Sequence, residues 1–76
     1  MKFERFAELF SSTLQIGRAV RREDRLRDDL QLDSLDLLEI WVAVEYAAGR
    51  PVEPSAVESL ETVEDAYLLL QTLAAD

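Results

Sequence analysis

Asp33-Ser34-Leu35-Asp36-Leu37-Leu38-Glu39-Ile40-Trp41-Val42-Ala43-Val44-Glu45-Tyr46-Ala47-Ala48-Gly49-Arg50-Pro51 decides how this chain folds. Asp33 stands where a helix N-cap belongs, and Asp36, three residues on, completes a capping box with aspartate in place of glutamate. Gly49 ends the run and Pro51 follows where a helix cannot continue, so a helix is predicted from Ser34 to Gly49. On a wheel of 100° per residue, Leu37, Ile40, Trp41, Val44, Ala47 and Ala48 cluster within about 60° of one direction and must face a core. Leu35, Leu38, Val42 and Tyr46 cluster about the opposite direction, flanked by Asp36 and Glu39. A helix apolar on two opposite faces is either covered on both by other helices or carries a docking stripe, and so short a chain has few residues for the first.

On the amino-terminal side, Phe3, Phe6, Phe10 and Leu14, with Ala7 between, recur at helical spacing and predict an amphipathic helix from about Phe3 to Gln15, stopped by Gly17. Three phenylalanines on one stripe read as a core face rather than an aromatic ligand box. From Arg18 to Asp33 neither period holds, so the stretch is a loop, long for a compact domain and expected to be pinned by Val20, Leu26 and Leu30 or to be functional. Its arginines read as solvated partners for acidic residues elsewhere. On the carboxyl-terminal side, Ser55 with Glu58 reads as a capping box for a brief helix from Ala56 to Leu60. Thr62 with Asp65 repeats the pattern ahead of Val63, Ala66, Tyr67, Leu70 and Leu73. The expected architecture is all-α, three longer helices and a short third one, with a long loop after the first, in a single domain over residues 1–76.

Composition narrows the function. With 76 residues, and about 60% of the unfolded surface buried on folding, the chain cannot enclose a deep active site. It has no cysteine for a disulfide or a thiolate metal cluster, and no histidine. The usual general base, the serine and cysteine triads and the commonest transition-metal ligand are thus missing together, and the chain is expected not to be an enzyme, with no catalytic residue and no metal site. No apolar run approaches the roughly 20 residues that span a bilayer, and the amino terminus lacks a signal-peptide core, which points to the cytoplasm. The formal net charge is −8. It is unevenly placed: seven basic side chains meet four acidic ones up to Arg27, whereas twelve acids beyond it face Arg50 alone. Nucleic acid and anionic lipid are therefore poor partners, and basic patches on other proteins good ones.

Ser34 is the conspicuous chemical group. Its hydroxyl leaves the first turn of a helix, where unpaired N–H groups and the positive end of the dipole favour a phosphate ester. Nothing nearby could activate it as a nucleophile, so a separate enzyme would have to modify it. Taken alone, it could equally be a good first-turn residue.

The ordered set Leu30-Gln31-Leu32-Asp33-Ser34-Leu35-Asp36, Leu38-Glu39-Ile40 and Ala43 resembles the acyl carrier protein motif Leu-Gly-x-Asp-Ser-Leu-Asp with its following Val-Glu-Leu and Ala. Val52 to Leu60 is similar to that family's third helical segment. Thr62-Val63-Glu64-Asp65-Ala66 is similar to the start of its fourth helix. The resemblance implies the family's four-helix bundle and a covalent 4'-phosphopantetheine arm on Ser34, flanked by Asp33 and Leu35, whose thiol holds acyl groups as thioesters. A partner surface is implied at Leu35, Asp36, Leu38, Glu39, Val42 and Glu45. The implied partners are a phosphopantetheinyl transferase, an acyltransferase or an acyl or aminoacyl ligase, and a ketosynthase or other acyl-processing enzyme with a basic docking patch, the carrier itself being a monomer.

Two departures refine this. The family's glycine is Gln31 here, so the loop backbone is expected to differ, glutamine being averse to positive φ. Trp41 falls where the family lines a cavity between helices, and an indole there could fill the space that would sheathe a long chain, leaving a short or polar cargo outside; an ordinary core tryptophan is the equal alternative. Gln31 and the basic loop lean towards a polyketide or related specialised pathway. An aminoacyl or peptidyl carrier, or an unmodified acidic interaction module, remain the rival readings.

Overall fold

In the computed structural model, which describes residues 2–74, the chain forms four helices: α1 (Phe3–Thr13), α2 (Ser34–Ala48), α3 (Pro54–Glu58) and α4 (Val63–Ala74). The all-α bundle expected from the sequence is thus the observed fold. Among the described residues the only strand-like feature is an isolated antiparallel bridge between Arg25 and Thr62.

Phe3, Phe6 and Phe10 are buried, as their spacing requires, and they meet Tyr67 of α4. The Phe3 and Tyr67 rings lie edge to face at 5.4 Å, a geometry that adds to simple burial, and the Phe6 and Tyr67 rings meet at 5.3 Å tilted by 59°. Ile40 and Val44 of α2 complete the centre with Val57, Val63, Ala66 and Leu70. Ala47, placed on the core face by the wheel, is exposed, because it lies at the edge of that face where α1 leaves a groove.

Helix ends follow local chemistry, and three differ from expectation. α1 stops at Thr13 rather than Gln15, because Gln15 adopts φ 54° and Gln15 N–H and Ile16 N–H return to the carbonyls of Ser12 and Ser11 at 3.2 and 3.0 Å. This is a Schellman closure with glutamine in the left-handed position, so the stop precedes Gly17. α3 runs from Pro54 to Glu58 rather than from Ala56 to Leu60, with Glu53 as N-cap and no side-chain cap, so the Ser55–Glu58 box does not form. Proline has no N–H to satisfy and a φ already suited to the first helical position, which moves the start ahead of Ser55.

The long loop is a structural element in its own right. Val20 and Leu26 are buried, the latter completely, and Leu30 is half-buried. Leu26 N–H donates to the Glu61 carbonyl at 2.8 Å. The carbonyls of Asp24 and Arg22 accept from Val63 N–H and Glu64 N–H at 3.0 and 3.1 Å. The first N–H groups of a helix have no partner within it, so the loop backbone caps α4 from outside. Arg22 and Arg25 pair with Glu64 and Glu61, as partners for the acidic half, and Arg22 also lies 4.4 Å from the Phe3 ring centre.

Asp24 was not foreseen. It is 2% exposed and accepts from Arg21 N–H at 2.8 Å and from the Arg18 guanidinium at 3.1 and 3.4 Å. Its hydrogen bonds with Arg18, then the Arg21 amide, hold the carboxyl below the usual range against the opposing effect of burial. Gln31 corrects the other expectation. It adopts φ 56°, so the loop keeps a left-handed residue at this position despite the missing glycine.

Candidate functional site

The site is set by the start of α2. Asp36 N–H donates to the Asp33 carboxylate and Asp33 N–H to the Asp36 carboxylate, both at 3.0 Å, the reciprocal box the sequence predicts. The bond from Asp36 N–H holds the Asp33 carboxyl below its ordinary range. The box fixes the helix register and leaves Ser34 exposed as its first residue, its side chain in no hydrogen bond among the described residues.

The electrostatics are not those of an open helix N-terminus. The aspartate side chains have taken N–H groups of the first turn and add two carboxylates beside the serine. Arg27 is the cation among the residues lining a shallow cleft of about 380 Å³ that also contains Ser34. Leu37, Leu38, Trp41, Pro54, Val57 and Glu58 form the rest of its wall, so the cleft runs between α2 and α3. Sequence reasoning reached Ser34, Leu38 and Trp41 but missed Arg27, whose only signal was its place in the loop.

Trp41 is half-buried and its indole N–H donates to the Val52 carbonyl at 2.6 Å. One turn later the Glu45 carboxylate accepts from Val52 N–H at 2.8 Å. Both polar groups of one peptide residue are therefore bound by side chains four apart on the same face of α2. Glu45, expected on a partner surface, is half-buried and engaged in this tie.

The second apolar stripe of α2 lies in the open. Leu35, Leu38, Val42 and Tyr46 are 71, 49, 57 and 90% exposed, and Glu39 beside them is exposed as well. Asp36 is half-buried in its capping role. The stripe continues across a groove of about 430 Å³ to Leu9 on α1, which is 43% exposed. No helix among the described residues is long and apolar enough to cross a membrane, and no three or more His, Cys, Asp or Glu side chains there are grouped so as to hold a metal ion.

Comparison with known proteins bears on what this arrangement does. The chain is 39% identical over 74 residues to an acyl carrier protein of Saccharopolyspora erythraea, covering 96% of this chain and 78% of the relative. It is 35% identical over 69 residues to the acyl carrier protein of Petrotoga mobilis, covering 90% of this chain and 81% of the relative. To acyl carrier protein 2 of Ralstonia nicotianae it is 32% identical over 73 residues, covering 95 and 90%. No family model and no solved structure matches it.

Proposed function

Because the chain belongs to the acyl carrier protein family, whose members are carriers and not enzymes, we propose that it holds acyl intermediates on a 4'-phosphopantetheine arm esterified to Ser34. The observation that carries this reading is the exposed, unbonded Ser34 at the first position of a rigidly boxed helix. When bound, the arm supplies the thiol that the chain's own residues lack. Ser34 contributes the ester oxygen. Asp33 and Asp36 fix the helix start, Leu35 flanks the attachment point, and Arg27 would offset the charge of a phosphodiester beside the cleft that Trp41 also lines.

Partners would dock on Leu35, Leu38, Val42 and Glu39, where exposed apolar side chains sit beside carboxylates that match basic patches. Asp36 and Glu45 belong to the same region but act first as cap and tie. Such partners are a phosphopantetheinyl transferase, a loading acyltransferase or ligase, and a ketosynthase or related enzyme. The cargo would be a polyketide or similar specialised acyl intermediate, the reading that Gln31 and the basic loop favour, and the carrier would work in the cytoplasm.

Incubation with coenzyme A and a promiscuous phosphopantetheinyl transferase, followed by intact mass spectrometry, tests the assignment. The wild type should gain one arm and Ser34→Ala none. No gain in the wild type, or a gain that survives Ser34→Ala, overturns it.

A further inference from the structure

The attachment cleft has properties that select cargo. Its floor, formed by Leu37, Trp41 and Val57, is apolar, but Arg27 and Glu58 place charge at its rim. A long alkyl chain tethered at Ser34 gains free energy by leaving water, and its nearest way inward is the seam between α2 and α3. That seam is tied at the Trp41 indole, which donates to the Val52 carbonyl, and again at Glu45, which accepts from Val52 N–H. Entry would require displacing the indole, which leaves the carbonyl of a buried residue without its partner. Val52 is itself buried, so water does not replace that bond freely.

We infer that Trp41, braced through Val52 and Glu45, closes the bundle to cargo and makes the Ser34 cleft an external seat for short acyl groups rich in oxygen. The indole gives such a group a flat apolar floor, and the Arg27 guanidinium donates to its oxygens. Longer alkyl cargo stays in water. This rests on attachment at Ser34, and the experiment separates the two ideas.

Wild type, Trp41→Leu and Trp41→Ala are incubated with a promiscuous phosphopantetheinyl transferase and octanoyl-coenzyme A or acetoacetyl-coenzyme A, so that the acyl-phosphopantetheine passes to the Ser34 oxygen and adenosine 3',5'-bisphosphate leaves, and intact mass is recorded first. A wild type that takes up neither probe overturns the attachment assignment and this inference with it. Once loading is established, the thioesters are cleaved with hydroxylamine and the loaded proteins studied by NMR. The wild-type octanoyl thioester should be cleaved at the rate of free octanoyl-pantetheine. In the smaller variants cleavage should slow roughly tenfold, the factor that burial of two methylenes provides. If Trp41→Ala fails to fold, Trp41→Leu carries that comparison. Acetoacetyl loading of the wild type should shift the Trp41 indole N–H and the Arg27 side-chain resonances, whereas octanoyl loading should leave the indole where it is. Protection of octanoyl in the wild type overturns the inference, whether its terminal methyl contacts Val57 inside the seam or Leu9 and Tyr46 in the α1–α2 groove. Absence of any acetoacetyl effect at Trp41 and Arg27 overturns it too.

Discussion

Asp24→Asn tests whether the long loop is held by one buried carboxylate. The substitution keeps the shape and one acceptor for Arg21 N–H, but it turns an amide N–H₂ or a neutral oxygen towards the Arg18 guanidinium, which now contacts the carboxylate at 3.1 and 3.4 Å. A hydrogen bond to a charged group contributes about 1.5–3 kcal/mol, and Arg18, with 46% of its side chain exposed, is screened by water. The expected loss is therefore about 2 kcal/mol at neutral pH, or a Tm drop of roughly 10 °C for a domain of this size. The pH dependence has a definite sign. The folded carboxyl titrates below its ordinary value, so its contribution is complete above about pH 4, the unfolded value, and fades as pH falls through the folded one. The gap between wild type and Asp24→Asn should accordingly shrink on acidification. Urea unfolding followed by circular dichroism between pH 7 and pH 3 measures both. Equal stability at pH 7, or a gap unchanged down to pH 3, would refute the reasoning.

Gln31→Gly removes the strain of a non-glycine residue at φ 56°, about 1–2 kcal/mol, against a backbone-entropy cost of about 0.5–1 kcal/mol, and should raise stability by roughly 0.5 kcal/mol in urea unfolding. A lower midpoint would show that the side chain has its own role. Gly49→Ala is the converse: an added Cβ would meet nothing within 4 Å, so the φ of 70° alone should cost about 1 kcal/mol by the same measurement. Glu39→Lys and Leu38→Asp alter exposed positions and should leave stability within about 0.5 kcal/mol. Both should slow modification by a transferase with a basic docking patch, Glu39→Lys through charge and therefore most strongly at low salt, Leu38→Asp through lost apolar contact; unchanged rates would count against the α2 surface.

Much of this was legible because it is local. The limits of α2, the boxes at Asp33–Asp36 and Thr62–Asp65, and the exposed stripe through Leu38 and Tyr46 all follow from spacing over a few residues. What escaped reading depends on contacts across the fold or on unusual backbone. Asp24 sits in an Arg-Arg-Glu-Asp-Arg run that looks solvated, and only its pairing with Arg18 across a non-helical loop reveals the burial. Trp41 could be placed near Ser34 by its angle, but the Val52 peptide that it and Glu45 clasp lies beyond Gly49, where no periodicity predicts the return of the chain. The early stop of α1 and the retained turn at Gln31 depend on glutamines in a conformation that residue type disfavours.

The capping of α4 by carbonyls of Arg22 and Asp24 bears on how this molecule can be cut and rejoined. Exposed loops are normally the safest places for new termini or inserted domains. Here a break between Arg22 and Leu26 would uncap a helix about forty residues away and loosen the wall of the aromatic core, although the segment looks like surface in the sequence. The exposed Asp28–Asp29 pair is no safer, because the Asp29 carboxylate accepts from Arg25 N–H at 2.8 Å and Asp29 N–H donates to the Arg25 carbonyl at 3.0 Å, so a break there loosens the same stretch.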